Sequence, residues 1–199
     1  MLQQKQFPKI IAICGAKRSG KDVLADHLVT NYGYQKLAFA EPLKKIAKVI
    51  FNFTDDQLGD GDVKDDVDER WGISPRKALQ FFGTEVMQYK VQELLPGIDR
   101  KLLARSLIAK IEHDSDKYYV ISDMRFYHEY EELAKLNAVV IKVDRFPMKY
   151  TADMQAVHQV RQVHPSEIEY NTIPTNIYIK NDEDVISLRN KLDIAMKNC

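Results

Sequence analysis

Few folds can accommodate the stretch from Lys9 to Leu28, KIIAICGAKRSGKDVLADHL. A short apolar run, Ile10 to Cys14, meets a glycine, then small and basic residues, then Gly20-Lys21. From there the period becomes helical, with Val23, Leu24, Leu28 and Val29 apolar. The pattern is strand, phosphate-cradling loop, helix. Gly15 and Gly20 let the backbone curl so that successive N–H groups face one anion. The N-terminus of the following helix adds its partial positive charge. Lys21 sets an ammonium among the phosphates, and Lys17 and Arg18 add to the local field. The written motif, G-x-x-x-x-G-K-[ST], is met at Gly15, Gly20 and Lys21 but ends here in Asp22. A carboxylate thus replaces the usual hydroxyl and is a hard ligand for Mg2+, directly or through water.

The rest of the chain fits that opening. Apolar runs begin near residues 9, 34, 118, 139 and 176, alternating with helical stretches, which predicts a parallel sheet covered on both faces: a three-layer α/β nucleotide-binding domain. A length of 199 residues suits one domain carrying a lid. Lys plus Arg and Asp plus Glu both number 29, so no global field exists to hold nucleic acid or an anionic membrane, and any anion site must be local. The two cysteines suggest neither a metal site nor a disulfide framework. The start, MLQQKQFPK, lacks a signal-peptide core, and no apolar run is long enough to span a bilayer; a cytoplasmic location, of a cell or of a host, is expected.

Other segments supply candidates. Pro42 opens a helix to Phe51 bearing Lys44, Lys45 and Lys48, of which Lys44 or Lys45 could reach a second anion. The acidic stretch from Thr54 to Glu69 misses the calcium-loop pattern and is expected to be a mobile, solvated connection. Ser74-Pro75 starts a long helix interrupted by Gly83, either as a kink or as a close approach of backbone to a ligand. Arg76, Gln80, Thr84 and Glu85 cluster around that glycine, and Asp99 is placed to cap the next helix. The run Tyr118 to Ile121 ends in Ser122-Asp123, the place where a strand beside a phosphate loop presents a carboxylate to Mg2+. Arg125 follows at the carboxyl end, where α/β ligands bind. The thirty or so residues after Arg145 lack a sheet period and read as a lid or binding loop. His158 and His164 are too far apart to pair on a metal there.

A phosphate loop alone does not choose a reaction. No N-K-x-D stretch marks guanine specificity, and a motor or helicase needs more chain. A small-molecule kinase remains, and the many candidate phosphate grips (Lys44, Arg76, Arg125, Arg145, Arg161) favour an acceptor that is itself a phosphate. GAKRSGKD (15–22), FAEPLK (39–44), SPRKALQFFGTE (74–85), SDMRFYHE (122–129), VDR ending at Arg145 and HPSE (164–167) occur in order. Together they resemble the phage- and virus-type deoxynucleoside monophosphate kinases of the P-loop kinase superfamily. The resemblance implies that Gly15, Ala16, Lys17, Arg18, Ser19, Gly20, Lys21 and Asp22 hold ATP. It implies an acceptor site of Lys44, Arg76, Gln80, Asp123 and Arg125 within a region of about 39–100 and the strand end. It further implies a lid of about 145–175, with Lys21, Arg145 and Arg161 as catalytic cations. Mg2+ held by Asp22 and Asp123, ATP and a deoxynucleoside monophosphate as partners, and a homodimer are expected with it. Met124 stands where the family often has Thr. A phosphomevalonate-type kinase and a non-catalytic nucleotide-binding module are the alternatives.

Overall fold

A computed structural model describes residues 7–59, 61–145, 165 and 168–199. The strands are β1 (Ile10–Cys14), β2 (Gln35–Leu37), β3 (Tyr119–Met124), β4 (Val139–Arg145) and β5 (Ile177–Asn181). All pairings are parallel, in the order β2-β3-β1-β4-β5. This is the expected α/β sheet, with each strand starting within a residue of its apolar run. β1 is central, and every one of its side chains is buried. Because alternate strand residues face opposite sides, that burial means both sheet faces are covered.

The chain divides into two compact units, Met1–Leu37 with Lys110–Cys199, and Ala38–Ala109. The first contains the sheet, α1 (Lys21–Tyr32), α7 (Tyr127–Ala134) and α8 (Val185–Asn198). On one side of the sheet, Leu24 and Leu28 of α1 and Leu188, Leu192 and Met196 of α8 pack with Ile11 and Ile13. Their burial fixes the direction in which α1 leaves the loop. A polar pin joins the two helices: His27 Nε2 lies 2.7 Å from Asp193 Oδ1, which also accepts from Tyr32 Oη at 2.7 Å.

The second unit holds α2 (Glu41–Phe51), α3 (Asp55–Leu58), a 3-10 turn (Asp62–Asp65), α4 (Pro75–Gln80) and α5 (Val91–Leu94). Its core joins Leu43, Ala47, Phe53, Leu58, Ala78 and Leu79. Most of the acidic segment is exposed, in keeping with a solvated connection, and it also carries local structure. Thr54 and Gln57 form a reciprocal capping box at α3. The Asp68 side chain is 5% exposed and accepts from Arg70 Nε, Nη2 and backbone N and from Gln57 Nε2. A buried carboxylate with four donors is a structural hub, and these bonds hold its pKa far below the carboxylate range. Between α4 and α5, Phe81–Lys90 is π-helical. Gly83 lies within it, and a Cβ there would come 2.9 Å from Leu43 Cδ1, so the glycine serves tight packing against a side chain. Asp99 and Arg100 both take positive φ (52° and 64°) ahead of α6 (Leu102–His113).

Candidate active site

β1 stops at Cys14 and α1 starts at Lys21, and the six residues between them form the loop. Gly15, Arg18 and Gly20 have φ of 146°, 61° and 106°. A Cβ on Gly15 would lie 2.2 Å from the Val143 carbonyl oxygen, and one on Gly20 would lie 2.8 Å from Leu188 Cδ2. Only glycine fits either place. The loop carbonyls are occupied by donors around it. Lys21 Nζ donates to Gly15 O at 3.0 Å and Ala16 O at 2.6 Å. Asn181 Nδ2 donates to Ser19 O at 2.8 Å, and Arg145 Nη1 lies 3.5 Å from Arg18 O. No side chain of the N-cap residue, Gly20, closes the N-terminus of α1, so its first-turn N–H groups retain their capacity for an anion.

The metal-binding expectation can be tested on two observations. Ser19 Oγ is fully buried and has no hydrogen-bond partner among the described residues, an orphaned hard oxygen inside the cradle. Asp123 occupies the carboxyl end of β3, which pairs with β1 in a register that sets Cys14 opposite Met124. The carboxylate therefore sits one strand over from the start of the loop. Oxygen donors of this kind fit Mg2+. Asp22, the second expected ligand, shares its Oδ1 with Lys36 Nζ at 3.0 Å, and Lys36 also bridges to Asp26 at 2.9 Å. Among the described residues no group of three or more His, Cys, Asp and Glu could hold a metal by itself, so an ion here would complete its shell with phosphate oxygens and water.

Arg125 follows β3, and its backbone is fixed by a residue to which the sequence assigned no role. Glu129 Oε2 accepts from Arg125 N at 2.8 Å and Phe126 N at 3.0 Å. It is 5% exposed. Burial pushes its pKa up to about 8, although the Arg125 N–H opposes this; the nearby Asp123 charge adds to the rise. A carboxyl whose folded pKa is raised binds more protons folded than unfolded, so its contribution to stability falls as pH climbs from its unfolded value near 4.5 through about 8. Glu129→Gln retains an acceptor for both N–H groups and removes the titration. We expect this variant to lose less Tm than the parent between pH 6 and pH 9, with a gain over the parent on the order of 5 °C at pH 9. Parallel Tm profiles for the two proteins would show that Glu129 does not titrate in this window.

In the second unit, Ser74 Oγ accepts from Lys77 N at 3.3 Å and Pro75 opens α4, aiming the first turn that carries Arg76. The Arg76 guanidinium pairs with Asp65, a residue of the acidic segment. A step of four residues overshoots one α-helical turn and undershoots the wider π turn, so the two drifts oppose each other. Arg76, Gln80, Thr84 and Gln88 thereby remain along one side. Thr84 and Gln88 are buried, and Gln88 Oε1 takes Arg100 Nε and Nη2 at 3.0 and 2.8 Å. Lys45 and Lys48 of α2 are paired with Glu41 and Asp55, whereas Lys44 has no ion pair among the described residues, which favours Lys44 of the two candidate lysines.

Arg145 ends β4 and reaches the phosphate loop from the strand itself. Arg161, the two lid histidines and most of the expected lid lie outside the described residues. Two residues within the expected lid are anchored: Glu169 Oε1 accepts from Tyr127 N at 3.0 Å, and Lys142 Nζ donates to Asn171 Oδ1 at 3.1 Å.

Comparison with known proteins supplies independent findings. The family model for deoxynucleotide monophosphate kinase matches residues 9–62 and 59–192. A protein of Acanthamoeba polyphaga mimivirus, provisionally named a deoxynucleotide monophosphate kinase, is 32% identical over 191 residues, covering 92% of this chain and 89% of its own. Among solved structures, a dephospho-CoA kinase from Campylobacter jejuni aligns with a TM-score of 0.48 at 12% identity, over 96% of each chain. A shikimate kinase from Acinetobacter baumannii aligns with a TM-score of 0.45 at 13% identity, over 98% of this chain and 96% of its own.

Proposed function

The chain belongs to the deoxynucleotide monophosphate kinase family, and we propose on that premise that it moves the ATP γ-phosphoryl group to a deoxynucleoside 5'-monophosphate. The observation that best supports the reading is a glycine-shaped phosphate loop with Lys21 inside it and Asp123-Arg125 at the end of the neighbouring strand. ATP and the nucleotide monophosphate are its two substrates. Family membership also separates it from the phosphomevalonate-type alternative and from a module without turnover.

The chemistry needs little covalent help. The second pKa of a phosphate monoester is near 6, so at pH 7 the acceptor is mostly a dianion and already nucleophilic. One of its oxygens forms a bond to the γ-phosphorus as the bond from that phosphorus to the β–γ bridging oxygen breaks. ADP leaves, and the acceptor becomes a diphosphate. What remains for the protein is alignment and neutralisation of charge. The loop amides, the α1 N-terminus and Lys21 hold the donor phosphates. Arg125, stiffened by Glu129, is a cation suited to the acceptor phosphate; Arg76 and Lys44, in the second unit, are the further candidates that the family resemblance supplies. Mg2+, when bound, would be held by Asp123, with Asp22 as a further ligand, and would neutralise charge on the β- and γ-phosphates.

A coupled assay of ADP release from ATP, run across the four deoxynucleoside monophosphates, is expected to show acceptor-dependent turnover. ADP release that no acceptor stimulates would refute the reading. Arg125→Ala is expected to lower kcat/KM for the acceptor by roughly 10- to 100-fold while the KM for ATP stays within a few-fold. An unchanged acceptor kcat and KM would remove Arg125 from the site.

A further inference from the structure

The phosphate loop is held from outside by two residues that are neighbours across the sheet. In the β4–β5 ladder Arg145 is paired with Asn181, each the last residue of its strand. Their side chains reach consecutive loop carbonyls: Arg145 Nη1 lies 3.5 Å from Arg18 O, and Asn181 Nδ2 lies 2.8 Å from Ser19 O. Asn181 is 9% exposed, and its bond to the loop is buried. The same amide nitrogen would lie 2.9 Å from a Cβ on Gly20, so Asn181 also packs on the glycine that precedes Lys21.

We propose that Asn181 is a positioning residue for ATP, acting through the Ser19 peptide to set the direction of the loop amides and of Lys21. The inference rests on the reading of the loop as the ATP site.

A loop that turns its N–H groups toward an anion must turn carbonyls away from it, and a buried carbonyl needs a donor. Gly15 O and Ala16 O receive theirs from Lys21, the residue that directly follows the loop. Ser19 O receives its donor from another strand, so the position of that peptide depends on β5. Arg18, a non-glycine residue at φ 61°, stands immediately before this anchored peptide. Such a conformation persists where its surroundings hold it, and the clasp is part of those surroundings. An amide is suited to the task because its NH2 donates while carrying no charge that would compete for the phosphates.

The test uses Asn181→Ala and Asn181→Asp in the full chain. ATP affinity is measured by calorimetry and both substrate KM values by the coupled assay. Asn181→Ala is expected to weaken ATP binding about tenfold, the usual scale of one buried hydrogen bond, while the acceptor KM stays within twofold. Asn181→Asp puts an acceptor against a carbonyl and is expected to weaken ATP binding further. Parental ATP affinity in Asn181→Ala would overturn the proposal. So would an equal loss for both substrates accompanied by a lower Tm, since that pattern indicates general loosening. Calorimetry does not require turnover. A parent protein that binds ATP without phosphorylating any acceptor would sink the kinase reading and leave the clasp to be judged on binding alone; a parent that binds no ATP would overturn both.

Discussion

Replacing Lys21 with alanine is expected to lower kcat by about 10²- to 10³-fold, the range typical of removing one preorganised stabiliser of transition-state charge. Lys21 is buried and its ammonium rests on two loop carbonyls, so its direction is set before substrate arrives. A charge held in place costs little reorganisation when negative charge shifts toward the β–γ bridging oxygen. The substitution leaves Gly15 O and Ala16 O without this donor, and a loss of about 1–2 kcal/mol in stability is therefore expected as well. The two effects separate cleanly. Thermal unfolding at a fixed protein concentration measures the second, and single-turnover kinetics at saturating ATP measures the first. A folded Lys21→Ala protein with kcat within a few-fold of the parent would remove Lys21 from the chemistry.

Much of this arrangement was legible in the residues, and the misses share physical causes. The strands could be read because each is a short, nearly continuous apolar run, as strands buried on both faces must be. The loop could be read because its glycines are sterically forced: Gly15 abuts the Val143 carbonyl and Gly20 abuts Leu188. The local order of the acidic segment is not legible, because composition reports average polarity and cannot reveal that one carboxylate, Asp68, sits inside a cage of four donors. The π-helical stretch leaves no periodic signature distinct from a helix with a glycine in it. Asn181 carries no sequence signal of its contact with the loop, since its partner, Ser19, is 162 positions away. Glu129 was visible as part of a motif, but its bonds to Arg125 N and Phe126 N depend on the turn after β3. Arg145 had been expected in the lid; it is the last residue of β4, and its guanidinium reaches the loop from there.

Gly15→Ala should abolish ATP binding more completely than any single loss of charge, because it displaces the loop itself. Its φ of 146° lies where L side chains rarely go, and the new methyl would stand 2.2 Å from the Val143 carbonyl oxygen and 2.9 Å from Ser19 Oγ. The carbonyl belongs to β4, which is paired on both sides and cannot retreat without breaking ladder bonds. The loop must therefore yield, carrying Lys21's two carbonyl partners with it. Strain and overpacking together are expected to cost about 3 kcal/mol, and ATP affinity is expected to fall at least roughly 100-fold, since the cradle depends on converging amides. Gly33→Ala is the matched control. Gly33 also has positive φ, 73°, but a Cβ there meets nothing within 4 Å. That variant should show only the left-handed penalty of about 1–2 kcal/mol in stability, with ATP binding intact. Calorimetry and thermal unfolding on both variants decide the matter. If Gly15→Ala binds ATP as Gly33→Ala does, the close approach of Gly15 to Val143 does not shape the phosphate cradle, and the loop amides owe their direction to something other than steric exclusion at its first residue.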